Sequence, residues 1–383
     1  MKALRFERKV ARFAAAAIAG RIAPGLGAKH GPLCLDDVAV PALPGPDWVR
    51  LRPRLAGICG SDLATIDGAS SRYFEPIVSF PFVMGHEVVG DLDDGTRAVL
   101  IPVLHCETRG IAPVCGSCAA GRINLCERIA YGHLEPGLQS GFCESTGGGW
   151  SLAMVAHRSQ LLVVPESLSD EAAVLVEPMA CAVHAARMIA TDDIAFIGAG
   201  SLGLLTLAAT RVLRPDARIV VTAKYPEQRA FAKAFGADRI CGPDELARVL
   251  RGETRSLMTG DYLTGGVGTV VDCVGTEATL GDALRVVAPG GTVLVVGMPG
   301  HARLDLTALW HRESALKGCY AYTRDDFTTA LDLVERLDLG RLVSATYPLH
   351  RYEDAIAHAA NAGPLGAVKI AFDMRNEKQR DDL

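Results

Sequence analysis

The sequence predicts an α/β protein in two parts, a mostly-β region with long loops followed by a doubly wound parallel sheet. Three observations carry this. The chain has 383 residues, which suits about two domains. Residues 1 to about 185 are dense in Gly and Pro and hold only short β-type runs, at 49–55, 88–90, 97–101 and 161–164. From Asp193 short apolar segments alternate with helical ones, the pattern of a parallel sheet covered on both faces.

Taken in order, residues 1–6 read as a first strand. Arg5, Arg8, Lys9 and Arg12 then precede the apolar run 13–19, which imitates a signal peptide. The run is short and Arg21 interrupts it, so we read an alanine-rich helix inserted into a surface hairpin of a cytoplasmic protein. At 169–173 the period changes. Ser169 suits a helix cap with Glu171 in the first turn, and a second helix over 179–189 leads into the next domain. Strands follow at 194–197, 218–222, 270–273, 292–296 and 315–319, with helices over 202–213, 227–235 and 278–287. Helices at 325–337 and 352–360 accompany strand-like 347–349 and 368–372, and the charged tail from Arg375 is expected to fray.

Apolar residues make up 49% of the chain, enough for true cores. Lys+Arg 39 against Asp+Glu 44 gives a net charge of -5 with no basic face, so nucleic acid is not an expected partner. No apolar run approaches the roughly 18 residues of a membrane span, and no membrane partner is expected. Eleven cysteines in a chain this long point to metal rather than a disulfide scaffold. Cys34, Cys143, Cys181, Cys241, Cys273 and Cys319 are scattered and read mostly as small buried apolar residues.

The chemistry centres on 57–62, Gly-Ile-Cys-Gly-Ser-Asp, and 85–87, Gly-His-Glu. Cys59, Asp62, His86 and Glu87 bring a thiol, an imidazole and two carboxyl groups together. Thiolate and imidazole are ligands that zinc favours, and three protein ligands leave a position open for water or substrate. This is the pattern of a catalytic metal site. A second set, Cys106, Cys115, Cys118 and Cys126, lies in one loop-like segment. The C-x2-C pair at 115–118 lets two sulfurs meet one tetrahedral ion. Four thiolates close the shell, so this set marks a structural zinc that supplies folding energy and no chemistry. Four unrelated buried thiols are the weaker alternative.

Residues 194–203 form an apolar strand, then Gly198-Ala199-Gly200-Ser201-Leu202-Gly203, then an apolar helix. A G-x-G-x-x-G run in this strand–turn–helix setting is a dinucleotide site. Gly198 permits the tight turn, Gly200 the approach of the pyrophosphate, and Gly203 close helix–strand packing. The helix start near Ser201 offers free N–H groups to phosphate. An NAD site wants a carboxylate about 20 residues on, and that position is Ala223. Lys224 follows, able to attract a 2′-phosphate, with Tyr225 beside the adenine. NADP is therefore expected over NAD. Val274, after the strand at 270–273, is expected to border the cofactor through its backbone.

Together these residues resemble the zinc-dependent medium-chain dehydrogenase/reductase family, the alcohol and polyol dehydrogenases, over almost the whole chain. The resemblance rests on 57–62, 85–87, Cys115/Cys118/Cys126, Glu177-Pro178, 198–203 and Pro289-Gly290-Gly291. It implies a GroES-like mostly-β catalytic domain at 1–185, completed by 323–383, a Rossmann domain at 186–322, and a homodimer or homotetramer. Cys59 and His86 are then catalytic zinc ligands, and Glu87 and Glu177 contend for the third place. Asp62 orients the His86 ring, Ser61 contacts the reacting oxygen and passes its proton onward, and Lys369 approaches the cofactor pyrophosphate. The family often has a histidine where this chain has Ala64. Ser70-Ser71-Arg72-Tyr73-Phe74 and 147–151 are also atypical.

The expected function is a zinc-dependent oxidoreductase moving hydride between NADP(H) and a small alcohol or carbonyl substrate. Two rivals remain at this level. One is a redox-neutral zinc lyase or isomerase with a recycled cofactor. The other is a non-enzymatic cofactor-binding sensor.

Overall fold

The computed structural model describes residues 1–298 and 300–377; the end of the tail expected to fray, 378–383, lies outside the described residues. It divides into two units, Met1–Ala180 with Tyr322–Leu383, and Cys181–Ala321.

In the first unit β1 (Lys2–Phe6) pairs antiparallel with β2 (Leu33–Asp37). Two helices connect them, α1 (Val10–Ile22) and α2 (Gly27–His30); this is the alanine-rich insert. β3 (Trp48–Gly57) is the spine of a seven-stranded sheet. Its alternating sequence buries Leu51 and Leu55 and turns Arg50, Arg52 and Arg54 to the half-buried face. Pro53 lacks a donor for the ladder, and the register shifts between Pro53 and Leu55. α3 (Gly60–Ile66) starts just past the end of β3, so residues 57–62 are a strand-to-helix junction.

β4 (Phe82–Val83) adds to β1. Residues 85–87 then lie between it and β5 (Val88–Leu92), which pairs with β3. On the other side of β3 runs the antiparallel strand Lys369–Asp373, with Ala371 opposite Gly57. Three segments distant in sequence therefore converge beside Gly57. The core beneath them includes Leu4, Leu51, Met84, Trp150 and Phe372, all fully buried.

The second unit is a six-stranded parallel sheet. Its order is Arg239–Cys241, Arg218–Thr222, Asp193–Ile197, Val267–Asp272, Val287–Val295, Ala315–Gly318. The strand expected at 292–296 begins earlier, because pairing continues across Pro289-Gly290-Gly291 to set Val287 opposite Val267. The strand Arg239–Cys241 and the helix Leu246–Thr254 escaped the sequence reading; three residues at a sheet edge carry too little periodicity. Of the six scattered cysteines only Cys143 and Cys241 are buried, and the other four are half-buried. Among the described residues no helix is long and apolar enough to cross a membrane.

Candidate active site

Cys59 stands at the N-cap of α3, with extended backbone. Its N–H donates to Asp62 Oδ2 at 2.9 Å, so the carboxylate one turn on closes the helix start. The other oxygen, Oδ1, lies 3.4 Å from His86 Nδ1. Asp62 is fully buried and His86 nearly so. One carboxylate thus caps a helix and faces the imidazole, leaving Nε2 of that ring for another partner. The Cys59, His86 and Glu87 ligand atoms all lie within 4.8 Å of one another. Burial alone would drive a proton off His86. The charge of Asp62 and the Cys59 sulfur outweigh it and hold the ring well above its ordinary pKa. The cluster is therefore a buried pocket that favours positive charge.

Glu87 Oε2 forms a buried ion pair with Lys369 Nζ. Both residues are at least 97% buried. Burial works against the charge on Lys369, and Glu87 more than restores it. The Lys369 amine, expected at the cofactor pyrophosphate, faces Glu87 inside the unit. Gly57 makes the arrangement possible: a Cβ there would lie 1.9 Å from Glu87 Oε2. Glu177 stands near the start of the helix Val176–Met188 and accepts a 2.9 Å bond from the fully buried Tyr322 hydroxyl. Burial pushes its carboxyl up to about 7, with His86 pulling down and Glu87 adding to the rise. Tyr322 was missed by sequence reasoning, and nothing local to it signals the contact.

Ser61 is half-buried in the first turn of α3. Ala64, one turn on, lines a cavity of about 450 Å³ with Ala17, Gly20 and Arg21 of the insert. The insert is fixed there by Asp67, whose carboxylate accepts the Gly25 and Gly27 N–H groups at 2.8 and 2.9 Å. The atypical stretch at 70–74 enters a short 3-10 helix, Arg72–Ile77, with Tyr73 73% exposed.

The Cys106, Cys115, Cys118 and Cys126 sulfurs also lie within 4.8 Å of one another, with Cys106 and Cys126 3.7 Å apart. A tetrahedral ion with Zn–S bonds of about 2.3 Å needs sulfurs about 3.8 Å apart. Backbone N–H groups of Cys115, Cys118 and Arg128 point at the Cys106, Cys115 and Cys126 sulfurs, at 3.3 to 3.5 Å. The Cys118 and Arg128 N–H groups pull the Cys115 and Cys126 thiols down, but burial still pushes Cys126 up to about 11. Burial raises Cys115, but the N–H donors near it outweigh that and take it down to about 6.

In the second unit the glycine loop joins the strand Asp193–Ile197 to the helix Ser201–Leu213. Gly198 has φ +95°, and a Cβ at Gly203 would lie 2.1 Å from the Gly198 carbonyl, while space over Gly200 is open. Ala199 is buried, and the Ser201 hydroxyl is buried without a protein partner. Leu202 is half-buried in the first turn of that helix. Ala223 is buried at the end of Arg218–Thr222. The exposed Lys224 amine stands 5.6 Å from the Tyr225 ring centre. Arg229, which the sequence reading missed, is exposed and donates to the Ala223 carbonyl at 3.0 Å. It brings a second cation to the strand end. The Val274 and Gly275 N–H groups both go to Asp272 Oδ1. Val274 therefore offers the surface its side chain, 43% exposed, rather than its amide.

Two family comparisons cover most of the chain. The zinc-binding dehydrogenase family matches residues 201–336, and the alcohol dehydrogenase GroES-like domain matches 45–166. Sorbitol dehydrogenase of Arabidopsis thaliana is 27% identical over 348 residues, 86% of this chain and 89% of that protein. The chain belongs to the zinc-dependent medium-chain alcohol/polyol dehydrogenase family. It is an oxidoreductase with the GroES-like and Rossmann architecture of that family. Two solved structures share the fold and differ in cofactor. A candidate zinc-binding dehydrogenase from Sinorhizobium meliloti 1021 bound to NADP has TM-score 0.72 and 23% identity, covering 97% of this chain and 98% of that one. An alcohol dehydrogenase from E. coli CFT073 complexed with NADH has TM-score 0.74 and 20% identity, covering 98% and 99%.

The residues of this family member fit zinc at both places. In each cluster the sulfur, nitrogen or carboxylate donors all lie within 4.8 Å of one another, close enough to share one ion. The Cys59 cluster has three close donors, and the four-sulfur cluster has its full set.

Proposed function

We propose that this dehydrogenase transfers hydride between NADP(H) and a polyol or its ketose, at a zinc held by Cys59, His86 and Glu87. The observation that carries the proposal is the buried trio of Cys59, His86 and Glu87 donors with a partner behind its nitrogen and its carboxylate. Zinc there would supply Lewis acidity toward the substrate oxygen, and the nicotinamide would carry the hydride. Asp62 fixes the His86 ring, and Lys369 fixes the Glu87 carboxylate. Glu177, held by Tyr322, stands as the acidic group beside the trio rather than within it. Ser61 handles the alcohol proton at Oγ. Ala64 cannot take it further, so the proton leaves through water or the cofactor ribose.

The cofactor choice rests on the strand end at Ala223. It has no carboxylate to repel a 2′-phosphate, and Lys224 and Arg229 stand nearby. The sorbitol dehydrogenase likeness supports a polyol substrate. Cys106, Cys115, Cys118 and Cys126 hold the structural zinc, and the protein assembles as a dimer or tetramer. The lyase alternative draws on Ala64 and the atypical stretch at 70–74, and the open metal position of the trio speaks against the sensor. The test is turnover of a panel of polyols with NADP and with NAD. Wild type should favour NADP, and Lys224→Ala should raise the KM for NADP by roughly tenfold, about 1.4 kcal/mol. Preference for NAD, or polyol conversion without net reduction of cofactor, would overturn the reading.

A further inference from the structure

The insert carries a feature that the redox chemistry does not use. α1 is apolar on two sides. Ala16 and Ala19 face inward and are buried. Val10, Ile18 and Ile22 are 80%, 63% and 76% exposed. Spacings of four and eight put these three on one face, together with the exposed Ala11, Ala14 and Ala15. Arg21, eleven residues after Val10, projects from within this face, and Arg12 from beside it. One side of the helix packs on the domain and the other is bare.

Charge says what covers it. Between Glu7 and Asp36 there is no Asp or Glu, while Arg8, Lys9, Arg12, Arg21 and Lys29 lie in that interval of a chain whose net charge is -5. All five are exposed. Arg8 pairs with Glu75 and Lys9 with Glu7, but such surface pairs hold their partners weakly. A second copy of this chain fits poorly. Its α1 would bring the same cations and no carboxylate. A 13-residue helix, about 20 Å long, also falls short of the roughly 800 Å² per partner of a stable interface.

We propose that α1 is a docking surface for an anionic lipid bilayer. It lies in the headgroup layer with Val10, Ile18 and Ile22 inserted, while Arg12, Arg21 and their neighbours meet lipid phosphates. The expectation of no membrane partner concerned a spanning segment. A surface helix is a different object, and this inference stands apart from the choice of cofactor or substrate.

The experiment is co-sedimentation of the full chain with vesicles of phosphatidylcholine alone and of phosphatidylcholine containing about one third phosphatidylglycerol. The protein should follow the anionic vesicles only, and added salt should release it. Ile18→Glu with Ile22→Glu should weaken partitioning at least about tenfold. Arg12→Ala with Lys29→Ala, which changes only exposed cations, should weaken it also. Both should leave the melting temperature and the turnover of soluble substrate unchanged. No sedimentation with either vesicle, equal sedimentation with both, or full binding by the Ile18/Ile22 variant would overturn the proposal. So would light scattering in which wild type self-associates and that variant does not, because a second copy would then be the occupant.

Discussion

The two cysteine-containing clusters that would hold zinc in the first unit are built differently. Of the four sulfurs at Cys106, Cys115, Cys118 and Cys126, three each accept a backbone N–H. At the other cluster side chains do the supporting. His86 has Asp62, Glu87 has Lys369, and the nearby Glu177 has Tyr322. A backbone cradle follows from the local turn and hardly moves. Side-chain partners come from separate segments and can each be adjusted. The difference separates a site whose task is to hold the chain from one whose task is to hold a changing ligand.

Mutation can break that contrast. Cys59→Ser or His86→Ala should lower turnover by roughly a thousandfold or more, with cofactor binding and melting temperature nearly kept. Cys115→Ser or Cys118→Ser should do the reverse, costing on the order of several kcal/mol of stability, while the molecules that remain folded keep their kcat. Denaturant melts and active-site titration measure the two, and an exchange of outcomes would reverse the assignment. Lys369→Met probes the adjustable side. It leaves Glu87 charged and unpaired inside the fold, at a cost of about 3–5 kcal/mol. Lys369→Arg should recover part of this in the same melts. The smallest effect is expected from Tyr322→Phe. Loss of one bond to Glu177 should lower kcat about tenfold, near 1.4 kcal/mol, with KM for the nicotinamide unchanged. A change in cofactor KM instead would place Tyr322 elsewhere.

These same residues show what a sequence can reveal. Cys59, Asp62 and His86 were legible because a strand–helix junction and a turn put them on short, chemically dense motifs. The G-x-G-x-x-G loop was legible because strand, glycines and helix are contiguous. Tyr322 and Glu177 are 145 residues apart, and Lys369 reaches Glu87 only because its strand lies against β3. Such pairings depend on sheet order, which no local pattern encodes. Lys369 was accordingly assigned to the cofactor and found against Glu87. The alanine-rich helix was legible as an insert, but its two apolar faces could not be told apart until the domain covered one of them.

Asp62 joins two events that are usually separate. Its two oxygens serve the amide of Cys59 and the ring of His86. Fraying of the first turn of α3 would release the same carboxylate that faces the imidazole. The exchange rate of a single backbone proton, on Cys59, becomes a clock for the order of the whole cluster, and any ligand that fixes the imidazole should slow it.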